Sequence, residues 1–172
     1  VGSHFPNRQA LHDADMHRGL MRGIAPAGSS IVLSGGFVDD EDDGDEIIYT
    51  GEGGRDPNTG RQIADQTLTG GNLALAENYV EGLPVRVVRG HNLDSDFAPS
   101  EGYRYDGLYR IDSYWKDKGQ DGFVIYRYRL NRLGAQPLLR ATTDEALLRE
   151  SSPQPQGNRT PGRVQVTTTR II

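Results

Sequence analysis

Two runs of alternating residues, Leu108 to Trp115 (LYRIDSYW) and Phe123 to Leu130 (FVIYRYRL), are separated by a polar stretch, Lys116 to Asp121 (KDKGQD). Period-two alternation on both sides of a polar turn specifies a β-hairpin with one buried and one wet face. Further short runs add to that sheet. Ser30 to Leu33 is apolar and β-branched, Ile47 to Thr50 lies between glycines, and Pro84 to Arg89 (PVRVVR) sets Val against Arg, one face buried and one basic. Helices are few. Asn7 to His17 reads as one, and from Thr69 the residues Leu73, Ala74, Ala76 and Val80 recur at helical spacing, with Thr69 as cap and Gly82 as stop. The expected fold is α+β: a twisted, partly closed, crescent-like β-barrel with a few flanking helices. One domain is expected over residues 1–150. From Ser151 a Pro- and Gln-rich stretch leads to the strand-like VQVTTTRII, so 151–172 reads as linker and tail leading to a further domain or docking back on the core.

Charge is distributed unevenly. Seven of the 24 acids lie between Asp39 and Glu46, leaving 17 against 19 Lys plus Arg, so the remainder is slightly basic within a net charge of −5. Lys116 and Lys118 are the only lysines. An arginine-dominated supply suits bidentate contacts to phosphate or base edges, and equally a GC-rich genome. No run of eighteen apolar residues offers a membrane span, and the N-terminus lacks the pattern of a signal peptide. The absence of cysteine excludes thiolate metal sites and fits a reducing compartment.

The acids Asp39–Glu46 invite a calcium loop. With Gly44 at loop position 6, position 12 falls on Thr50 and a strand replaces the exiting helix, so an EF-hand fails. Another cation site, a carboxylate active centre and a solvated turn stay open. The cluster Gly51 to Asp56 (GEGGRD) fits neither a P-loop nor a dinucleotide fingerprint. It leaves bare backbone N–H groups beside Arg55, a phosphate cradle or an ordinary wide turn. His4, His12, His17 and His91 have no metal-ligand spacing and read as surface or capping histidines, and no Ser sits in a nucleophile elbow.

An ordered series of motifs spans about residues 1–140. VG…F.NR…L runs from Val1 to Leu11, and H….GI from His17 to Ile24. SIVLSGGF.DD occupies Ser30 to Asp40, YTG.GGRD Tyr49 to Asp56, and DQ.LT..N.ALA.N Asp65 to Asn78. Then follow PVRVVR at Pro84 to Arg89, AP.EG.RYDGLY at Ala98 to Tyr109, and YW…G..GF…RY.L.R at Tyr114 to Arg132. In this the chain resembles the SRA (SET- and RING-associated, or YDG) domain family, readers of modified cytosine with a PUA-like fold. The resemblance implies a non-catalytic module that flips 5-methylcytosine, or 5-hydroxymethylcytosine, out of duplex DNA into a protein pocket, with no cofactor and no metal.

What the resemblance implies for single residues can be set against chemistry. Phe37, more often tyrosine in the family, and Tyr49 match the aromatics that sandwich the base. Asp40 matches the base-reading carboxylate: it accepts from the N4 amine of cytosine, whereas thymine offers only another acceptor there. The Thr50 N–H donates to the acceptor edge, and Ser34, Gly35 and Gly36 let main chain approach. Glu52 stands where some members have a small residue beside the cytosine 5-substituent. A side chain turned inward favours hydroxymethyl, a site lined only by its backbone and Cβ favours methyl, and methyl is the expectation. Met21 or Arg22 fills the space left in the duplex. Arg61 is the nearest equivalent of a base-probing arginine on a loop that is shorter here, while Arg55 and the Gly23 N–H meet phosphates. The acids Glu41 to Glu46 are then a solvated turn.

Family members occur fused to histone methyltransferases, ubiquitin ligases and bacterial HNH endonucleases. The expectation is the targeting domain of a modification-dependent endonuclease, cytoplasmic and nucleoid-associated in a bacterium or nuclear in a eukaryote, with a homodimer through a further domain as one arrangement. The competing readings are a metal-dependent hydrolase or nuclease using Asp39–Glu46, and a protein-interaction domain indifferent to DNA.

Overall fold

The computed structural model describes residues 1–143, so the linker and strand expected beyond Ser151 lie outside the described residues. The expected hairpin is its spine. Strand β6 (Tyr103–Lys118) pairs antiparallel with β7 (Val124–Arg132), from Tyr109↔Arg132 to Lys118↔Val124. Pairing runs through Lys116–Lys118, which the pattern assigned to the turn. These exposed residues satisfy backbone hydrogen bonds without burying a face, so they leave no hydrophobic signal.

The other strands are β1 (His4–Phe5), β2 (Ser30–Leu33), β3 (Glu41–Asp42), β4 (Glu46–Thr50) and β5 (Val85–Gly90). They form one mixed sheet in the order β2-β5-β6-β7-β4-β3, with β1 added on β6 and β2 parallel to β5. Among the described residues β2 and β3 do not pair, so the sheet is open and the expected partial barrel does not close. Its core gathers Ile31, Leu33, Ile47, Val87, Tyr109 and Leu130.

Helix α1 (Arg8–Asp13) starts where expected, the Asn7 side chain accepting from the Ala10 N–H at 2.9 Å. It stops four residues short of His17, because Asp15 takes a positive φ of 57°. Helix α2 (Gly70–Glu81) follows Thr69 and ends at Gly82 in the left-handed conformation, but the Thr69 side chain makes no cap hydrogen bond. Its inward face also differs from the expected one. Leu73 and Val80 are exposed, while Asn72, Leu75, Ala76 and Asn78 are buried. The two asparagines decide this, since Asn78 Nδ2 donates to the carbonyls of Ala27 and Gly28 and Asn72 Nδ2 to those of Glu52 and Thr67. A periodicity of apolar residues cannot register an inward face built on amides.

Opposite β5, strand β6 carries a bulge. Val87 pairs with Gly107 and Val88 with Tyr105, so Asp106 is the extra residue on β6. Val87 and Val88 are buried in separate clusters on the two faces of the sheet, and Arg89, on the Val87 face, is buried completely, leaving Arg86 as the more exposed base of the strand.

Candidate functional site

Asp40 ends the loop after β2, and its Oδ1 accepts the Thr50 main-chain N–H at 2.8 Å. Thr50 closes β4 directly opposite Arg127 of β7. The Arg127 guanidinium donates through Nη2 to the Asp39 carbonyl and to the Glu41 carboxylate, each at 2.7 Å, gripping the chain on both sides of Asp40. Burial pushes the Asp40 carboxyl up to about 7, with the Thr50 N–H and the Arg127 charge pulling it down and Asp39 adding to the rise. In the unbound chain the Thr50 N–H is thus engaged by Asp40. The Thr50 Oγ1 and Arg127 Nε atoms are buried and have no hydrogen-bond partner among the described residues.

The two aromatics differ in access. Phe37 is half-buried, with the Arg55 guanidinium 4.6 Å from its ring centroid, and Arg55 Nε donates to the Gly60 carbonyl at 2.8 Å. Tyr49 is only 2% exposed and belongs to the core, so neither of its faces is open in the unbound chain. Burial, with Asp40 and Glu52 nearby, pushes its hydroxyl pKa well up. A Cβ on Gly23 would lie 2.6 Å from the Tyr49 hydroxyl, which ties that glycine to this ring. Gly35 and Gly36 make room for protein: a Cβ would meet the Asn92 carbonyl at 2.4 Å from the first and Arg55 Nη1 at 3.1 Å from the second. Ser34 is half-buried beside Gly90.

The acidic stretch is not uniformly a solvated turn. The Asp42 side chain is 3% exposed and takes hydrogen bonds from Arg89 Nε (2.9 Å), Arg89 Nη2 (2.7 Å) and the Ser95 hydroxyl (2.6 Å). Burial works against its ionised form, but the Arg89 hydrogen bonds and charge outweigh it and hold the pKa low. Arg89 also reaches Asp106 at 2.8 Å, which in turn accepts from Arg104 at 2.5 Å. Two arginines and two aspartates thus neutralise one another in the interior, and the bulge that re-aims Asp106 makes this geometry. Asp43 and Asp45 remain exposed. Among the described residues no group of three or more His, Asp or Glu side chains converges as metal ligands would.

Around this centre, Met21 is 93% exposed. Arg22 instead forms an ion pair with Glu52 at 2.5 Å, and Glu52 also accepts the Gly71 N–H at 3.1 Å. The Glu52 carboxylate is therefore committed to α2 and Arg22. Of the expected amide cradle, the Gly51 N–H is bonded to the Tyr126 carbonyl and the Glu52 N–H to Asn72 Oδ1, leaving the turn at Gly53 and Gly54. Arg61 is exposed and pairs with Asp121 of the hairpin turn at 3.3 Å. Arg127 and Asn72 stand within the sequence motifs without an assigned role, and Asp42 is read there as part of a solvated turn. Only the strand register and the helix orientation reveal what they touch.

No helix of the described residues is long and apolar enough to cross a membrane. The profile of the SAD/SRA domain matches residues 1–136. The chain is 43% identical over 161 residues to the histone-lysine N-methyltransferase SUVH4 of Arabidopsis thaliana, covering 84% of this chain and 25% of that protein. It is 38% identical over 161 residues to the E3 ubiquitin-protein ligase UHRF1 of Rattus norvegicus, covering 80% and 21%. Thus it spans about a quarter or less of the length of these relatives. Among solved structures, a modification-dependent TagI restriction endonuclease superposes with a TM-score of 0.73 at 44% identity, over 77% of this chain and 49% of that one. The SUVH5 SRA domain in complex with hemimethylated CG DNA superposes with a TM-score of 0.69 at 37% identity, over 81% and 92%. On the profile match and these identities, the chain belongs to the SAD/SRA domain family.

Proposed function

We propose that this chain is a DNA-binding module that recognises modified cytosine in duplex DNA by flipping the base into the site around Asp40. The observation that carries the reading is the Asp40 carboxyl, bound by the Thr50 N–H in a segment that Arg127 grips on both sides, beside Phe37 and Tyr49, in a member of a family with structures solved on methylated and hydroxymethylated CG DNA. With Oδ1 bound by Thr50, the N4 amine of cytosine falls to Oδ2. A thymine would leave that oxygen buried against another acceptor, which is costly.

Extruding a base costs a few kcal/mol, and stacking returns about 1–3 kcal/mol per base, so contact with Phe37 and Tyr49 offsets the expense of flipping. Because Arg55 covers Phe37 and Tyr49 is buried, entry of the base requires the two loops that carry Phe37 and Arg55 to move outward. Met21, exposed and apolar, is the residue that enters the vacated duplex. Gly23 and Arg55 lie at the rim and meet phosphates, and Arg61 reads alongside once released from Asp121. With the Glu52 carboxylate on Arg22, the 5-substituent is left to backbone and Cβ, which favours methyl over hydroxymethyl. The likeness to the TagI endonuclease supports a targeting role beside a nuclease domain in a longer protein. The competing hydrolase reading needs several converging carboxylates, and Asp42 is already bound to Arg89.

The test is binding at fixed salt to matched duplexes carrying cytosine, 5-methylcytosine or 5-hydroxymethylcytosine, with 2-aminopurine beside the site reporting flipping. Tighter binding to the methylated duplex with a fluorescence rise is expected. Equal affinities for all three without a rise would overturn the proposal.

A further inference from the structure

The segment from Arg18 to Gly23 joins α1 to β2 and carries Met21, and its contacts are specific. His17 is buried, with Nδ1 2.8 Å from the Ser30 hydroxyl and Nε2 2.9 Å from the Arg22 carbonyl. A carbonyl only accepts, so Nε2 carries the proton and Nδ1 accepts from Ser30. Burial holds the His17 pKa down to about 4, against the pull of the Arg22 carbonyl, so the ring is neutral at ordinary pH. Arg8 Nη1 donates to the same carbonyl at 3.1 Å.

Arg22 is held from its other end as well. Its guanidinium meets Glu52 at 2.5 Å, and Glu52 is itself fixed: its carboxylate takes the Gly71 N–H, its N–H donates to Asn72 Oδ1 at 2.8 Å, and its carbonyl accepts Asn72 Nδ2 at 2.9 Å. Glu52 lies two residues beyond Thr50, whose N–H holds Asp40. The segment next to Met21 and the wall of the base site are therefore joined through one short stretch of backbone and one ion pair. Met21, 93% exposed, directly precedes Arg22, which is pinned at both ends.

We infer that His17, Arg8 and Glu52 are positioning residues which hold Arg22 as a strut and present Met21 to the duplex in an ordered conformation. The inference rests on the reading of the chain as a base-flipping module. It assigns Arg22 to the protein side of the interface and gives Glu52 a function apart from the cytosine 5-substituent. An unanchored segment would lose conformational freedom on entering DNA, and anchoring removes that loss from the binding step.

The strut acts only through insertion, so its value must depend on Met21 and on having a paired base to displace. The experiment compares the wild-type chain, Glu52→Ala, Met21→Gly and the double variant. Each is titrated with a duplex carrying 5-methylcytosine opposite guanine and with one carrying it opposite an abasic site. Glu52 is half-exposed, and thermal melts monitor folding of each variant. Glu52→Ala is expected to weaken binding to the paired duplex about tenfold and to reduce the 2-aminopurine rise, with a change of less than about threefold opposite the abasic site. In the Met21→Gly background its further effect falls below about twofold, the non-additivity of coupled residues. Glu52→Gln, which keeps an acceptor for Arg22 and Gly71, recovers part of the loss. Equal losses on both duplexes, full additivity with Met21→Gly, or no loss at all would overturn the inference. A wild-type chain that ignores methylation overturns the underlying reading instead, and is recognised before any variant is compared.

Discussion

Thr50 donates its main-chain N–H to the Asp40 carboxylate at 2.8 Å, yet burial still raises that carboxyl to about 7. The ordinary value is 3.8, so between about 4 and 7 the folded chain binds more protons at this site than the unfolded chain. Stability then falls as pH rises through that window, and the cost is fully present above it. Asp40→Asn removes the titration. Urea unfolding at pH 4.5 and pH 8 should show wild type losing up to a few kcal/mol relative to the variant as pH rises. Parallel pH dependence in the two proteins would show that the carboxyl titrates normally.

The Arg89–Asp42 pair predicts unequal consequences within the acidic stretch. Asp42→Ala leaves Arg89 buried with one carboxylate fewer, and breaking such a pair costs about 3–5 kcal/mol. Asp43→Ala, one residue on and exposed, should change stability by no more than about 0.5 kcal/mol. Chemical denaturation of the two variants separates an anchored residue from a solvated one. A small loss for Asp42→Ala would return the whole stretch to a solvent-facing turn.

These residues also mark how far the sequence is legible. Strands β2, β4 and β7 and the ends of α2 were readable because burial, glycine punctuation and alternation coincide there. The burial of Arg89 was not, because alternation only places it on the Val87 face, and the carboxylates that neutralise it there, Asp42 and Asp106, come from other strands, Asp106 at a bulge that has no local hydrophobic signature. The motif Tyr105-Asp106-Gly107 was visible as a family mark, but its physical content is tertiary: Asp106 joins Arg89 to Arg104, and Gly107 takes the φ of 111° beside the bulge. Asp40 and Phe37 could be named from the resemblance, while the Arg55 cover and the buried state of Tyr49 follow from packing between segments distant in sequence.

Phe37 is the more accessible aromatic of the site, and Arg55 lies over it. Phe37→Ala should weaken binding of a methylated duplex by about 1–3 kcal/mol, the value of one stacked base, and leave binding to unmodified DNA nearly unchanged. Arg55→Gln should act on every duplex alike and lower the salt dependence of binding by about one phosphate equivalent. Titrations at several salt concentrations check both. A methylation-selective loss for Arg55→Gln would move that residue from the backbone contact into the pocket.

Arg127 grips the chain on both sides of Asp40 and its charge favours the ionised carboxylate, and two substitutions separate these effects. If the ionised carboxylate receives the cytosine amine, binding of the methylated duplex strengthens as pH rises toward about 7 and then levels off. The groups acting on Asp40 are the Thr50 N–H and Arg127, which favour the charged form, and Asp39, which opposes it along with burial. Arg127→Gln removes the one cation among them, so the break in the pH profile should move upward and affinity at pH 7 should fall. Arg127→Lys retains a positive charge but loses the planar fork that reaches the Asp39 carbonyl and the Glu41 carboxylate together. Its profile should break close to the wild-type pH, with weaker binding at every pH. Fluorescence anisotropy from pH 5.5 to 9 distinguishes the two, and identical profiles for both variants would show that Arg127 acts through packing alone.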